Sequence, residues 1–123
     1  MILNLTQHLA TAEQTAAGVV NLSGQPLENL KKALTFTEIP SREEIIERGN
    51  KILDFALERG AKSVMIGGAP YLMPILEKAL AKHGIQILYS FTKRETVEKT
   101  DENGNVVKTA IFRHVGFVEA VKV

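Results

Sequence analysis

Short apolar runs alternate along this chain with longer segments in which apolar residues recur at helical spacing. The runs at residues 1–5, 63–66 and 85–91 have the length and composition of strands in a buried sheet. In residues 42–59 and 72–83, apolar positions recur every three or four residues, which indicates amphipathic helices that stop at glycines. Since strands separated by helices favour parallel pairing, the pattern predicts a Rossmann-like, three-layer α/β domain with a short parallel sheet.

Capping residues predict where the helices begin. Thr11 and Gln14 have the spacing of a capping box, and Ser41 and Glu44 repeat it before the first long helix. Residues 18–40 are less regular, although their leucines suggest a brief helix. The N-terminal half therefore predicts a strand, a short helix, an irregular segment and a long helix that leads to the second strand.

The C-terminal part of the chain has a different pattern. Residues 95–102 and 105–112 alternate in polarity around Asn103-Gly104, a dipeptide typical of two-residue hairpins. Such a turn takes type I′ geometry, in which both central residues have positive φ. The pattern predicts a β-hairpin, appended to the parallel sheet, that extends the sheet or makes a dimer contact.

A two-residue turn also determines which residues face each other across the hairpin. Counting outward from the turn places Arg94 opposite Arg113 and Lys93 opposite His114. Like charges at one level normally repel each other, so this register predicts that an anion lies between them. A bulge that shifts the register, or neutralisation of the cations by nearby glutamates, would remove that argument.

Composition narrows the class of protein. The chain, residues 1–123, is long enough for a single domain with its own core, and the absence of cysteine excludes thiol catalysis and disulfides. A net charge of +1 gives no general attraction to nucleic acid, so we expect a local anion site and no long duplex nucleic acid as a partner. The N-terminus lacks signal-peptide features, and no stretch approaches the ~20 apolar residues of a membrane span. We expect a cytoplasmic protein with no membrane partner.

Polar and basic residues gather where the predicted strands end. In open α/β sheets, ligands bind in the crevice outside the carboxyl ends of the strands, where helix N-termini offer free N–H groups. The pattern therefore predicts a phosphate or nucleotide site. Its predicted residues are Thr6, Gln7 and His8 after the first strand, Gly67, Gly68 and Ala69 after the second, Ser90, Thr92, Lys93 and Arg94 after the third, and Arg113 and His114 near the end of the chain.

The residue types suggest roles within that site. Histidine titrates near neutral pH, so His8 and His114 are candidate proton-transfer groups, and Lys93 is a candidate catalytic cation; helix capping is the competing interpretation for His8. The two adjacent glycines would let N–H groups approach a phosphate where a helix begins at Pro70, and a tight turn is the competing interpretation. The sequence has no metal-binding motif, and we expect neither a metal nor a cofactor.

Four segments carry a resemblance to known proteins: residues 4–8 (NLTQH), 65–70 (MIGGAP), 90–95 (SFTKRE) and 112–117 (FRHVGF). In this order they resemble a family of short uncharacterised bacterial proteins often carried near mobile elements. In architecture and site placement the chain is similar, more loosely, to the CARF-type nucleotide sensors and ring nucleases of type III CRISPR antiviral defence. That resemblance implies a homodimer that binds a small nucleotide ligand, cyclic oligoadenylate, across its two-fold axis and cleaves it without a metal.

Three functions from different classes follow from these features. The first is a metal-independent phosphodiesterase, similar to ring nucleases, in which a ribose 2′-hydroxyl of a cyclic oligonucleotide attacks the adjacent phosphate. The second is a sensor or sponge that binds a nucleotide and cleaves nothing. The third is a structural interaction protein, which is favoured if the strand-end residues prove scattered and exposed.

Overall fold

The computed structural model describes residues 1–122, which form a single mixed sheet with helices. The strands are β1 (Ile2–Asn4), β2 (Val19–Asn21), β3 (Ser63–Met65), β4 (Gln86–Thr100) and β5 (Val106–Glu119). The helices are α1 (Ala12–Ala16), α2 (Gly24–Leu34), α3 (Arg42–Glu58) and α4 (Met73–Lys82). The strand order is β2-β1-β3-β4-β5, in which β1 to β4 are parallel and β5 runs antiparallel to β4. The predicted Rossmann-like α/β fold is confirmed.

The two faces of the sheet differ because alternate residues of a strand point to opposite sides. Leu3, Val64 and Ile87 lie on one face, where they join the core formed with apolar side chains of α2, α3 and α4. Asn4 and Met65 lie on the opposite face, to which α1 is hydrogen-bonded. We call the first the core face and the second the α1 face.

The core face buries most of the apolar side chains. Leu5, Leu30, Ile52, Leu76 and Leu80 are each 0% exposed, and complete burial of such a side chain contributes ~1.5–3 kcal/mol. These residues come from α2, α3, α4 and the segment directly after β1, so the core joins the helices to the sheet. The helices keep a polar side, and within residues 1–122 none has the length and apolar composition of a transmembrane helix.

The helix starts predicted from capping residues are present in α1 and α3. Thr11 accepts the N–H of Gln14, and the Gln14 side chain accepts the N–H of Thr11 at 3.0 Å, so the first capping box is complete. Ser41 accepts the N–H of Glu44 at 3.1 Å. The Glu44 carboxylate pairs with Arg48 at 2.8 Å, so the second box is only half formed.

The predicted start of α4 is wrong. The helix begins at Met73, and Pro74 occupies its first turn. A helix that began at Pro70 would press the Pro74 ring against the Pro70 carbonyl and leave that carbonyl without an N–H donor. Instead, Leu72 donates its N–H to the Ala69 carbonyl at 3.0 Å in a turn that precedes the helix.

The sequence pattern does not predict β2. Its three residues are too few to show an alternating pattern, and they become a strand because β1 lies beside them in parallel register. The N–H of Ile2 donates to the Gly18 carbonyl at 2.9 Å at the start of this pairing. In the same segment, α2 is longer than the brief helix predicted, since Pro26 lies in its first turn, where proline is tolerated.

The predicted hairpin forms, but its turn is not type I′. In residues 101–105, Gly104 donates its N–H to the Asp101 carbonyl at 3.1 Å, and Asp101 donates to the Asn105 carbonyl at 2.8 Å. Gly104 has a φ of +79°, whereas Asn103 has no positive φ. The loop therefore has three residues between its closing pair, with a type I turn followed by a left-handed glycine.

The longer loop shifts the register of the whole hairpin by one residue. The structure pairs Lys93 with Arg113 and Arg94 with Phe112, so the predicted pairing of two arginines is wrong. The hairpin is also continuous with the parallel sheet, because its first arm and the third predicted strand are the single strand β4. The prediction that the hairpin extends the sheet is confirmed.

Gly104→Val is expected to open the hairpin, because a β-branched residue at positive φ is strained by ~1–2 kcal/mol. We expect the cross-strand amides of Val97 and Thr109 to exchange hydrogen roughly five to thirty times faster, in proportion to that free energy. Hydrogen exchange followed by NMR measures the effect. Gly116→Val is the control, since Gly116 has no positive φ and an added Cβ would meet nothing within 4 Å. Equal exchange in both variants would contradict this turn.

Candidate functional site

The carboxyl ends of β1 and β3 lie where the order of the strands changes direction. The chain passes from β1 to β2 on one side, and β3 lies on the other side of β1. Such a switch point opens a crevice in which α/β proteins bind ligands. Thr6 follows β1 and Gly67 follows β3, and a Cβ added to Gly67 would lie 3.6 Å from Thr6 Cγ2. The structure therefore brings together two of the loops in which site residues are predicted.

A buried asparagine organises the loop after β1. Asn4 is 3% exposed, and its amide donates to the His8 carbonyl at 2.8 Å and to Asn21 Oδ1 at 2.9 Å. Its Oδ1 accepts the N–H of Thr6 at 2.9 Å and the Thr6 hydroxyl at 2.7 Å. Asn21 Oδ1 also accepts the N–H of Ala10 at 3.0 Å. The Asn4 side chain thus holds the loop in one conformation, which leaves His8 exposed.

Gln14, Ser90 and His114 form a continuous hydrogen-bonded chain on the α1 face. Gln14 Nε2 donates to Ser90 Oγ at 3.1 Å, and Ser90 Oγ lies 2.7 Å from His114 Nδ1. Thr92 Oγ1 lies 3.5 Å from Ser90 Oγ. The His114 ring also packs against Phe117, with ring centroids 4.7 Å apart. The position of this imidazole is therefore determined by α1, β4 and β5 together.

A bulge in β5 directs His114 towards Ser90. The pairing shifts by one residue between Phe91 and Thr92, which leaves Val115 as the extra residue on β5. Because of it, His114 lies on the same face as Phe117, although residues three apart in a regular strand point to opposite faces. The bulge is therefore what brings a predicted histidine and a predicted serine into contact.

The cations of the hairpin are divided between its two faces, so the predicted cluster is wrong. Arg94 lies on the face that carries His114, whereas Lys93 and Arg113 pair with each other on the opposite face. Arg113 Nη2 lies 3.5 Å from the Glu95 carboxylate, which gives it a partner within the hairpin. The reason is the loop length, since one additional residue in the turn moves every residue of one strand to the other face.

The segment after β3 does not start a helix as predicted. Gly68 has a φ of +154°, which L side chains rarely adopt, so the backbone conformation accounts for the glycine. A Cβ there would make only ordinary contacts, 3.5 Å from Met73 Cε and 3.6 Å from Leu34 Cδ2. Ala69 packs against the core, and its carbonyl closes the turn before α4. Gln7 Nε2 donates to the Leu34 carbonyl at 3.4 Å, which ties its loop to the end of α2. Backbone N–H groups of a helix N-terminus are therefore not available at this segment.

Three residues of the site are not among those predicted from the sequence: Asn4, Gln14 and Asn21. Asn4 interrupts an apolar run, and a buried amide inside a strand indicates a polar network that requires it. The Gln14 amide has two functions. Its Oε1 accepts the N–H of Thr11 in the capping box, and its Nε2 donates to Ser90 Oγ in the site. Asn21 lies in β2, the strand that the pattern does not predict.

Other polar groups and grooves lie outside this site. Burial, followed by the charge and the hydrogen bond of Glu77, raises the pKa of Tyr89 to about 12, so this phenol stays neutral at physiological pH. A groove of about 800 Å³ runs along α4 and residues 119–122, and one of about 730 Å³ lies between α2 and α3. Within residues 1–122, no three histidine, aspartate or glutamate side chains converge as a metal site would require.

Comparison with known proteins identifies a family. The model of the family described as the uncharacterized protein MJ1673 family matches residues 1–118, so the chain belongs to that family. The matched segment includes every residue of the candidate site. No curated protein and no solved structure matches the chain.

Proposed function

We propose that this member of the MJ1673 family is a cytoplasmic, metal-independent phosphodiesterase that cleaves cyclic oligonucleotides, as ring nucleases do. The observation that carries the proposal is the chain of Gln14, Ser90 and His114, which holds an imidazole in a defined orientation on the α1 face. Arg94 shares that face and offers a planar donor for phosphate oxygens. An oriented imidazole beside an anion-binding group is the arrangement that phosphodiester cleavage needs.

The proposed reaction uses the 2′-hydroxyl of the substrate as its nucleophile. The 2′-oxygen bonds to the adjacent phosphorus while the bond from phosphorus to the 5′-oxygen breaks, which leaves a 2′,3′-cyclic phosphate and a 5′-hydroxyl. The proton of the 2′-hydroxyl passes to His114 Nε2. The leaving 5′-oxygen takes a proton, for which the exposed imidazole of His8 is the candidate donor.

Ser90 and Gln14 act in this proposal as positioning residues for His114. Ser90 Oγ accepts from Gln14 Nε2 and lies 2.7 Å from His114 Nδ1 and 3.5 Å from Thr92 Oγ1. The proposal requires the tautomer in which His114 donates its Nδ1–H to Ser90 Oγ. His114 then presents an unprotonated Nε2 to the substrate. Since the Nδ1–H donates to Ser90 before and after proton transfer, the ring keeps its orientation through the reaction.

Purified protein incubated in EDTA with a panel of cyclic oligoadenylates tests the proposal directly. Mass spectrometry is expected to find linear products that end in a 2′,3′-cyclic phosphate. Binding of a cyclic oligoadenylate without any cleavage would replace the enzyme by the second function, a sensor or sponge. If the protein neither binds nor cleaves a member of the panel, both nucleotide functions are wrong and a structural interaction protein is left.

Arg94 and Lys93 form a matched pair that tests which face binds the ligand. Both are exposed cations next to each other in β4, and they lie on opposite faces. We expect Arg94→Ala to weaken binding of a hydrolysis-resistant cyclic oligoadenylate roughly 10- to 100-fold, the worth of a charge-assisted hydrogen bond. Lys93→Ala is expected to change this affinity less than about twofold, because an exposed charge on the opposite face of the sheet is screened by water and salt. Calorimetry measures both, and equal losses would contradict binding on the α1 face.

A further inference from the structure

The hairpin arm, defined as residues 91–116, is the part of the molecule with the least packing. No residue from 90 to 122 is buried, and yet the arm carries large apolar side chains. A two-stranded ribbon without a partner is marginally stable in water. The exposed apolar residues of the arm are Phe91, Val106, Val107, Ile111, Phe112 and Val115, which are between 36% and 71% exposed.

The outer edge of β5 is an open sheet edge, because β5 is the last strand in the order. In an antiparallel ladder, residues whose N–H and C=O groups bond to the neighbouring strand alternate with residues whose groups point away. The N–H of Asp101 donates to the Asn105 carbonyl, so these two residues are a hydrogen-bonded pair, and every second pair from there along the hairpin is hydrogen-bonded as well. Within the arm, the residues of β5 whose backbone groups point outward are therefore Val106, Lys108, Ala110 and Phe112.

The exposed apolar side chains of β5 are arranged symmetrically about Thr109. Val106 and Phe112, 62% and 71% exposed, lie three residues on either side of it and share the α1 face. Val107 and Ile111, 45% and 36% exposed, lie two residues on either side and share the other face. A strand with this symmetry is complementary to an antiparallel copy of itself.

We propose that two copies of this chain pair through the outer edges of β5, antiparallel, with Thr109 opposite Thr109 of the partner subunit. In that register, Val106 lies opposite Phe112 of the partner subunit, and Val107 lies opposite Ile111 of the partner subunit. All four outward-pointing residues of β5 gain backbone hydrogen bonds, and the two sheets become continuous. Long open edges are the usual places where chains pair in this way.

The distribution of charge along the arm favours the same arrangement. The turn end carries Asp101 and Glu102, whereas the end next to the domain carries Lys93, Arg94 and Arg113. Antiparallel pairing brings the acidic turn of each copy alongside the basic end of the other, where the charges attract. Parallel pairing would bring like charges together. The same register places the partner's turn near His114, so that it forms one wall of the candidate site.

A cysteine placed at the proposed two-fold axis tests the register, since the chain has no cysteine of its own. Residues opposite each other in a non-hydrogen-bonded antiparallel pair have Cα atoms about 4.5 Å apart, within the range that a disulfide spans. We expect most of the Thr109→Cys variant to become a covalent dimer under mild oxidation. Thr100→Cys, on β4, is the control, and we expect it to form at least tenfold less covalent dimer. Equal cross-linking of the two variants would overturn the register.

Ala110→Pro tests whether the edge causes association. Its N–H points to the open edge, so proline there removes a bond to the partner and none to β4. Analytical ultracentrifugation is expected to give twice 13.5 kDa for the wild-type chain and 13.5 kDa for the variant. Circular dichroism controls for folding, and the cysteine pair is decisive if the variant misfolds. A wild-type chain that stays monomeric at 100 µM would overturn the proposal. The open edge of β5 would then bind a different partner or none.

Discussion

His114→Ala is expected to lower the rate of cyclic oligonucleotide cleavage at least 100-fold, since general acid–base catalysis contributes roughly 10²–10⁴. The substitution removes the group to which the 2′-hydroxyl proton passes. It also leaves Ser90 and Gln14 in contact with each other, so the fold is expected to persist. Because His114 acts in the chemical step, we expect kcat to fall and the affinity for a hydrolysis-resistant analogue to change by less than about threefold.

His83→Ala is the matched control for His114→Ala. His83 is exposed at the end of α4, where its Nδ1 lies 3.1 Å from the Ala79 carbonyl. Single-turnover cleavage, followed by mass spectrometry, compares the two variants with the wild-type chain. A His83→Ala rate within about twofold of wild type is expected, since a surface substitution away from the site has little effect. Undiminished cleavage by His114→Ala would remove this histidine from the mechanism.

Ser90→Ala and Gln14→Ala extend the same measurement to the positioning residues. Each removes one link of the hydrogen-bonded chain and leaves the imidazole in place. If the links act by fixing the ring, NMR of the His114 nitrogens is expected to show a mixture of tautomers in Ser90→Ala and one tautomer in the wild-type chain. This readout is independent of catalysis, so it also distinguishes a wrong orientation of the ring from a wrong choice of substrate.

Asn4→Asp is expected to lower the free energy of unfolding by about 2–4 kcal/mol, since it places a carboxylate at a position that is 3% exposed and directs it at two acceptor oxygens. The carboxylate keeps the size of the side chain and can still accept from Thr6. It cannot donate to the His8 carbonyl or to Asn21 Oδ1. An oxygen of the new carboxylate instead faces these two acceptor oxygens and is repelled by them. Because the Asn4 side chain itself is buried, water does not readily solvate the new charge.

Asn50→Asp provides the control for the loss of an amide at a solvent-exposed position of α3. Urea denaturation measures the free energies of unfolding, with the slope compared between variants to confirm that the unfolding transition is the same. We expect the control to change stability by less than about 0.5–1 kcal/mol, as surface substitutions do. Equal stability of Asn4→Asp and the wild-type chain would mean that the loop after β1 does not depend on this network.

Local signals in the sequence determine much of the fold. The apolar runs predict β1, β3 and the start of β4, and the glycines after α3 and α4 end those helices with φ of +59° and +67° at Gly60 and Gly84. Thr11 and Ser41 predict their helix starts because a capping side chain acts on N–H groups only two or three residues away. These features depend on neighbouring residues, so a sequence window contains the information that they require.

The division of cations between the faces of the hairpin illustrates what a sequence window does not contain. Asn103-Gly104 fits both a two-residue and a three-residue loop, and the choice depends on bonds that Asp101 makes with the rest of the turn. A difference of one residue decides whether Arg94 lies opposite Arg113 or Phe112. Because the side chains of a strand alternate, so small an error changes the composition of a site entirely.

Only the tertiary structure brings the functional groups together. Gln14 and Ser90 are 76 residues apart, and they meet because α1 crosses the sheet on the face that β4 exposes. His114 reaches Ser90 because of a bulge at Val115, which no local propensity predicts. The sequence by itself determined every strand except β2, the starts of α1 and α3, the ends of α3 and α4, and the residue types from which a site could be built. The register of β5 and the crossing of α1 decided which of them meet, since long-range pairing is set by the packing of the whole domain rather than by neighbours along the chain.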